Sequence, residues 1–336
     1  MTPAPGNDKA PRPLVEVQDL AVKFVTREAT VRAVNGVSFA MAPGEVLCII
    51  GESGSGKSVT LRALMRLLPK RRAQLSGSIR VGDHDIQALT ERQLTEVRGS
   101  TVSMIFQEPM TALDPVYTIG DQIAETVVRH EGCSHRAAMK RALDLLRLVK
   151  IPLPERRLKA YPHELSGGLR QRAMIALALS CRPSLLLADE PTTALDATVQ
   201  IQVLILLRRL QKELGMGVIF VTHDLSVAAQ IADRVAVMYA GRIVELGGVR
   251  DLFGAPRHPY TKALLGSIAK LGSKEPLYAI PGQPPDLARP PPGCAFHPRC
   301  AQAMPRCATQ EPGDVRCGEE WMARCWLPQL ASEVVA

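Results

Sequence analysis

Aromatic residues are scarce in this chain and make up only 4% of its 336 residues. Their scarcity argues against a surface on which nucleic-acid bases stack. The sequence has no run of about 18 consecutive apolar residues, the length that a membrane-spanning helix needs. Its first 13 residues are rich in proline and polar residues and lack the apolar core of a secretory signal. We therefore expect a disordered tail over residues 1–13 and a protein that stays in the cytoplasm.

The composition is that of a globular protein, with 46% hydrophobic and 22% charged residues, which excludes a wholly disordered chain. The length suffices for one large α/β domain with a smaller appendage, or for two ordinary domains. The formal net charge is +8. This charge permits an anionic partner such as nucleic acid but does not establish one, because 33 acidic residues are interspersed with 41 basic residues.

Five of the eight cysteines fall within the last 43 residues: Cys294, Cys300, Cys307, Cys317 and Cys325. In a reducing compartment such a cluster indicates a metal site before it indicates disulfides. Intervals of 5, 6 and 17 residues separate Cys294, Cys300, Cys307 and Cys325, unlike the close C-x-x-C pairs of common zinc ribbons. Four thiolates can ligate a [4Fe–4S] cluster without such pairs. Zinc, free thiols and disulfides stay as alternatives, and Cys317 could replace Cys325.

Hydrophobic periodicity predicts strands that alternate with helices before residue 250. Apolar and polar residues alternate in residues 14–50, as in strands, and Thr118–Ser180 has helical spacing. The shorter predicted elements are the buried strands Glu45–Ile50, Leu185–Ala188, Val218–Thr222 and Val235–Met238, and the helices Ser58–Leu68 and Val199–Leu214. This alternation predicts an α/β fold whose mainly parallel sheet is covered on both faces.

The composition changes after about Gly247. Pro276–Pro312 is dense in proline, glycine and cysteine, and few helices or strands are legible there. We expect a separate C-terminal extension whose small core needs a staple. Within it, residues 297–299 are expected to form a solvent-exposed turn.

A phosphate-binding loop follows the predicted strand Glu45–Ile50. Its eight residues fit the pattern G-x-x-x-x-G-K-[ST]: Gly51, Glu52, Ser53, Gly54, Ser55, Gly56, Lys57 and Ser58. Glycines let backbone N–H groups turn toward phosphate oxygens, and the following helix directs its positive end at them. Lys57 is expected to contact the β- and γ-phosphates of ATP, and the Ser58 hydroxyl is expected to bind Mg²⁺.

Two adjacent carboxylates, Asp189 and Glu190, end the predicted strand Leu185–Ala188. An aspartate in this position can hold Mg²⁺ opposite the phosphate loop. Glu190 could then accept a proton from an attacking water. The alternative is an acidic pair that caps the next helix, which the phosphate loop makes the weaker interpretation.

The residues Leu165–Arg172 resemble the LSGG-x-x-QR signature of ATP-binding cassette (ABC) ATPases. This resemblance implies a P-loop ABC-type nucleotide-binding domain with an antiparallel β subdomain and a helical subdomain. It also implies that Ser166, Gly167, Gly168 and Gln171 act on ATP held by a second cassette, so that two nucleotides are sandwiched head to tail. A serine hydroxyl, glycine N–H groups and a helix N-terminus suit such an anion site.

The resemblance assigns further residues one by one. It implies that Gln107 touches Mg²⁺ and the attacking water, that Asp196 in Ala194-Leu195-Asp196 crosses the dimer interface, and that His223 lies near the γ-phosphate. Asp196 could instead be a helix N-cap. Phe24 aligns with the residue that stacks on adenine. It could equally be a core residue, with Val31 or Arg32 touching the base.

Three segments resemble the oligopeptide/dipeptide/nickel importer group of ABC proteins: Phe106–Gly120, His258–Leu265 and Gly293–Cys300. The resemblance implies an ATPase domain over residues 14–250, a helical subdomain at about 111–180, and the group's extension over residues 251–336. It implies ATP and Mg²⁺ as ligands, and a [4Fe–4S] cluster in the tail as in some members.

The same resemblance implies a set of partners and a location. The partners are a second ABC ATPase subunit, expected to be a non-identical paralogue, two transmembrane permeases and an extracytoplasmic binding protein. The chain would lie on the cytoplasmic face of the membrane and power import of peptides, nickel or glutathione. Nucleic acid is not an expected partner, although a soluble cassette acting on nucleic acid is the alternative that the positive charge leaves open.

Overall fold

A computed structural model describes residues 12–108, 112–193, 195–267, 279–318 and 320–333. Four predicted features lie partly outside the described residues. They are the expected disordered tail (residues 1–11), the segment Phe106–Gly120 (residues 109–111), the segment Ala194-Leu195-Asp196 (residue 194) and the C-terminal extension (residues 268–278, 319 and 334–336). In the part of the chain that the structure describes, no helix is both long and apolar enough to cross a membrane.

The described strands form two sheets. They are β1 (Val15–Val25), β2 (Thr30–Met41), β3 (Val46–Ile50), β4 (Ala73–Val81), β5 (His84–Asp85), β6 (Val102–Ile105), β7 (Leu185–Asp189), β8 (Gly217–Thr222), β9 (Arg234–Tyr239), β10 (Arg242–Gly248), β11 (Val315–Arg316) and β12 (Met322–Ala323). One sheet has the antiparallel order β2-β1-β4-β5, and the other has the order β11-β12-β10-β9-β3-β8-β7-β6. Strands β9, β3, β8, β7 and β6 are parallel, which confirms the predicted mainly parallel sheet.

Helices surround this parallel sheet. They are α1 (Lys57–Leu64), α2 (Glu91–Ser100), α3 (Ile119–Glu131), α4 (His135–Leu148), α5 (Pro154–Arg157), α6 (Gly167–Ala178), α7 (Ala197–Leu214), α8 (Leu225–Ile231), α9 (Val249–Gly254), α10 (Pro259–Gly266) and α11 (Trp326–Glu333). Four of them, α3 to α6, lie within the predicted helix-rich region Thr118–Ser180.

Strand β3 shows how the sheet is buried on both faces. Successive side chains of a strand point to opposite faces, and all five of its residues are buried, so both faces of the strand are covered. Val46, Cys48 and Ile50 enter the core that contains the helical region, whereas Leu47 and Ile49 enter the core beneath the antiparallel sheet. The β3 strand therefore places the loop that follows it between two cores.

Helix α1 is shorter than the sequence predicts, ending at Leu64 rather than Leu68. Arg66 adopts a left-handed conformation with φ of 49°, which no α-helix continues. Its guanidinium donates to the carbonyl oxygens of Ile86 and Leu89. Contacts distant in sequence therefore end this helix.

The C-terminal extension packs onto the ATPase core rather than standing apart from it. Strand β12 continues the large sheet by pairing with β10, with Leu246 opposite Met322. Tyr260 and Phe296 are buried in the same core as the helical region. The expected small independent core is thus replaced by a shared one.

Candidate functional site: a nucleotide cleft

Two glycines give the phosphate loop its path after β3. Gly51 and Gly56 have φ of 153° and 104°, which side chains disfavour. A Cβ atom at Gly51 would lie 2.2 Å from the Met238 carbonyl oxygen, and one at Gly56 would lie 2.4 Å from that of Ala33. Only glycine allows the loop to approach β9 and β2 this closely.

Lys57 lies inside the loop and is 5% exposed. Its Nζ atom donates to the carbonyl oxygens of Gly51 at 2.8 Å and Glu52 at 3.0 Å. Burial lowers the pKa of Lys57, while the carboxylates of Glu190, Asp189 and Glu52 oppose that shift. The ammonium group is thus placed in the loop, where phosphate oxygens could replace the two carbonyl contacts.

Asp189 and Ser58 meet opposite this lysine. The Ser58 hydroxyl donates to Asp189 Oδ1 at 2.6 Å, and Asp189 is 1% exposed at the end of β7. Burial raises the pKa of Asp189 above its ordinary value. A hydroxyl and a carboxylate are hard oxygen ligands of the kind that Mg²⁺ takes beside phosphate groups. The residues present therefore fit the predicted magnesium site.

Glu190 follows Asp189 in a left-handed backbone conformation with φ of 46°. Such a conformation costs about 1–3 kcal/mol in a residue with a side chain and is concentrated at functional sites. Its Oε2 atom lies 3.1 Å from His223 Nδ1 and accepts from Thr193 Oγ1 at 3.0 Å and Gln107 Nε2 at 3.4 Å. One carboxylate oxygen thus gathers three polar side chains from three segments.

A cleft of about 460 Å³ joins these groups. Its lining residues are Ala33, Ser53, Gly54, Gly56, Lys57, Ser58, Val59, Gln107, Glu190, Thr193 and His223. The structure thus brings the phosphate loop together with the three predicted catalytic residues. Sequence reasoning missed Thr193, Ala33 and Val59, because no motif marks them. The position of Thr193 three residues after Glu190 was the only available signal.

Phe24, the predicted adenine-stacking residue, is half-buried in β1 and packs against the core beneath the antiparallel sheet. It lies opposite Val31 in β2. It is not among the residues that line the cleft. Its role against adenine stays a prediction, as do the alternatives Val31 and Arg32.

The signature residues lie at the start of α6. Ser166 and Gly167 are exposed, and Ser166 is the N-cap residue although its hydroxyl makes no capping bond. Gly168 packs against α7, where an added Cβ would lie 2.7 Å from Val199 Cγ1, and Gln171 is buried. None of them is among the described residues that line the nucleotide cleft. Their exposed end is therefore free to meet another molecule.

Asp196 caps helix α7. Its Oδ1 atom accepts a hydrogen bond from the Val199 backbone N–H at 3.0 Å. The helix-capping alternative for Asp196 is confirmed, while its predicted place at a dimer interface stays a prediction. A capping residue of this kind stabilises the start of α7.

Four of the five C-terminal cysteines line one cavity: Cys294, Cys300, Cys307 and Cys325. Cys317 lies elsewhere, with its thiol directed at the Val315 carbonyl oxygen. Burial raises the pKa of the Cys325 thiol to about 11 and also raises that of Cys294 and Cys300. No group of three or more His, Cys, Asp or Glu side chains among the described residues is placed to hold a metal ion.

The parallel sheet, the glycine-rich loop and the paired carboxylates define this chain as a P-loop ATPase. A family model described as ABC transporter matches residues 34–193, and one described as oligopeptide/dipeptide transporter, C-terminal region, matches residues 244–307. The chain belongs to the ABC transporter family, among the ATP-binding proteins of its oligopeptide/dipeptide branch.

Two relatives from Bacillus subtilis span nearly the whole chain. The dipeptide transport ATP-binding protein DppD is 49% identical over 322 residues, which cover 95% of this chain and 96% of the relative. The oligopeptide transport ATP-binding protein OppD is 50% identical over 317 residues, which cover 94% and 88% of the two chains. The similarity therefore includes the C-terminal extension as well as the cleft.

Solved structures support the same fold. The cassette MJ0796 in a dimeric, post-hydrolysis state bound to ADP and Pi superposes with a TM-score of 0.63 at 29% sequence identity. The match covers 70% of this chain and 99% of that chain. The cassette fold thus accounts for most of the chain but leaves part of it unmatched.

Proposed function

We propose that this chain is the ATP-hydrolysing subunit of an ABC importer for dipeptides or oligopeptides, placed on the cytoplasmic face of the cell membrane. The observation that carries the proposal is the nucleotide cleft, with Lys57, Ser58, Glu190 and His223 together, in a chain that also matches the peptide-transporter C-terminal region. The relatives named above are described as dipeptide and oligopeptide transport proteins, which favours peptide over nickel or glutathione.

In the proposed reaction, the chain's own groups bind ATP and orient water. Lys57 and the loop N–H groups hold the β- and γ-phosphates. Ser58, Asp189 and Gln107 would hold Mg²⁺, which would neutralise phosphate charge. Glu190 Oε2 accepts the proton of the attacking water. His223 and Gln107 both contact this carboxylate oxygen and orient the water.

The proposed site is completed by a second cassette subunit. The exposed Ser166 and Gly167 at the start of α6 would contact the ATP held by that subunit, whose own signature would contact the ATP held here. We propose a non-identical paralogue as this partner. The need for a second cassette of either kind is supported by the position of the signature outside the cleft of its own chain.

The proposed permease contact is the helical region beside Gln107. Large apolar side chains are exposed on and near it: Phe106, Val116, Tyr117, Leu153 and Tyr161. Contiguous exposed apolar patches mark surfaces that other proteins cover, and we propose that these side chains contribute to one. The proposed function therefore includes two permeases whose cytoplasmic helices bind here, and movement of this region when the cassettes close on ATP.

The proposed coupling predicts that the assembled transporter hydrolyses ATP faster when the binding protein delivers a peptide. We expect a rise of about tenfold or more in phosphate release from the complex in lipid vesicles. The matched control is the complex with Glu190→Gln, which should not respond. A hydrolysis rate that ignores the binding protein and peptide would contradict the transport function. Nucleic-acid binding that weakens steeply with salt would instead favour the alternative.

We also propose that the C-terminal cavity holds a [4Fe–4S] cluster through Cys294, Cys300, Cys307 and Cys325. Four thiols that line one cavity support it, because four cysteine thiolates can ligate such a cluster without C-x-x-C pairs. Zinc held by the same thiols is the alternative. The cluster would act as a staple for the extension rather than as an electron carrier.

The cluster proposal predicts about four iron and four sulfide per chain after anaerobic purification. Cys325→Ser should lose most of the iron and the visible absorption of the cluster. Cys317→Ser is the matched control and should keep both, because Cys317 lies outside the cavity. A wild-type chain that is folded and stable without iron or zinc would contradict the staple role.

A further inference from the structure

Glu52, the second residue of the phosphate loop, is held by the C-terminal extension. Its carboxylate oxygens accept hydrogen bonds from Arg299, at 2.7 Å from Nη1 and 3.0 Å from Nη2. Its backbone N–H donates to the Tyr260 hydroxyl oxygen at 3.0 Å. Its carbonyl oxygen accepts from Lys57 Nζ. One loop residue thus joins two residues of the extension to the phosphate-binding lysine.

Arg299 is a buried cation, only 7% exposed, whereas the sequence predicted an exposed turn. Its Nε atom donates to the Pro281 carbonyl oxygen at 2.9 Å and its Nη1 atom also reaches the Tyr239 hydroxyl at 3.3 Å. The hydrogen bonds to Glu52 raise the pKa of Arg299 further above its ordinary value. A two-pronged guanidinium–carboxylate pair fixes both the position and the orientation of the carboxylate.

A cluster of aromatic rings holds Arg299 in place. The Tyr239 ring at the end of β9 lies 4.6 Å from that of Tyr260 and 5.2 Å from that of Phe296, and Tyr260 and Phe296 are 5.3 Å apart, all between centroids. Ring pairs at such distances attract each other beyond their burial. Because Phe296 precedes Arg299 by three residues, the rings anchor the segment that carries the guanidinium.

The phosphate loop has reason to need such support. Three of its first six residues are glycines, and glycine loses more conformational freedom on ordering than any other residue. Contacts that restrict Glu52 from outside the loop reduce the number of shapes the loop can take before ATP arrives. A preorganised site binds its ligand more tightly because less order is lost on binding.

We propose that Arg299 is a positioning residue for ATP: through Glu52 it holds the phosphate loop in the shape that accepts nucleotide, without touching the nucleotide itself. The C-terminal extension is then part of the ATPase machinery and not only an addition to it. The proposal rests on the proposed ATP binding of this chain, and on nothing about the cargo or the cluster.

The test compares ATP affinity in the full-length chain and its Arg299→Ala variant, with a fluorescent ATP analogue. We expect the dissociation constant to rise roughly tenfold or more, and the KM for ATP to rise more than kcat falls. Arg299→Lys keeps the charge but loses the two-pronged pair with Glu52. Its dissociation constant for ATP should lie between those of wild type and Arg299→Ala. Arg289→Ala, at an exposed position of the same extension, is the matched control and should bind like wild type.

A double-mutant cycle separates positioning from general stabilisation. Removing Arg299 in a Glu52→Ala background should add little to the dissociation constant, because the partner is already gone. Additive effects, or an Arg299→Ala dissociation constant within twofold of wild type in a folded protein, would overturn the proposal. If Arg299→Ala does not fold, Glu52→Gln decides. It nearly keeps the side-chain shape but removes the charge that pairs with both Nη atoms of Arg299, and an unchanged affinity would overturn the proposal.

The same measurements distinguish failure of the proposed function from failure of the proposed role of Arg299. A wild-type chain that does not bind the nucleotide would contradict the proposed function itself. A wild-type chain that binds it, with variants that bind equally well, would contradict only the positioning role of Arg299.

Discussion

Replacement of Glu190 by glutamine is expected to abolish steady-state ATP hydrolysis while nucleotide binding remains. Glutamine has nearly the same shape, and its oxygen can still accept from Thr193 Oγ1 and Gln107 Nε2, which contact Glu190 Oε2 in the wild type. What is lost is the carboxylate that accepts a proton from water. General bases contribute about 10²–10⁴-fold to rates, so phosphate release should fall by at least about 100-fold.

The measurement pairs phosphate release with nucleotide binding. Glu213→Gln is the matched control, because Glu213 is exposed and pairs at 3.5 Å with the half-buried Arg209 in α7, and ion pairs at the surface contribute little. The Glu190→Gln chain should bind ATP with wild-type affinity and retain it unhydrolysed. Turnover within tenfold of wild type would show that Glu190 is not the general base, and His223 would become the candidate.

Introduction of a negative charge at Gly167 is expected to stop hydrolysis without weakening ATP binding by the isolated chain. Gly167 is exposed in α6, and an added Cβ would meet nothing within 4 Å, so Gly167→Asp should fold normally. In an assembled pair of cassettes the new carboxylate would face the phosphates held by the partner. Loss of a single donor to developing charge costs about 10²–10³-fold, and repulsion should add to it.

The neighbouring glycine cannot serve this test. A Cβ at Gly168 would lie 2.7 Å from Val199 Cγ1, so its substitution would disturb the contact between α6 and α7. Gly254→Asp is a suitable control, since Gly254 also has open space and an ordinary backbone. ATP affinity should be unchanged in both variants, and only Gly167→Asp should prevent turnover by the assembled transporter. Full turnover with Gly167→Asp would contradict the shared site.

Local patterns explain why so much of the cleft was predictable. The strand before Gly51, the loop itself and the carboxylates after β7 each depend on residues close in sequence, whose spacing limits the backbone to few conformations. The alternation that sends Leu47 and Ile49 to one core and Val46 to the other is equally local.

Other features depend on residues that are far apart in sequence. Arg299 and Glu52 are separated by 247 positions, and no local pattern indicates that they meet. The sequence favoured Cys325 but left Cys317 as a possible replacement, and only packing placed Cys325 in the cavity with the other three thiols. The early end of α1 at Leu64 likewise follows from the contacts of Arg66 with a distant segment.

The chemistry of the site could be predicted from the sequence alone, because the phosphate loop, the carboxylate pair and the signature are each defined by short spacings. How these parts are joined depended on packing. In the folded chain, one oxygen of Glu190 contacts Gln107, Thr193 and His223, and Arg299 of the C-terminal extension binds Glu52. The reason is physical: short spacings restrict the backbone directly, whereas contacts between distant residues form only when the whole core packs.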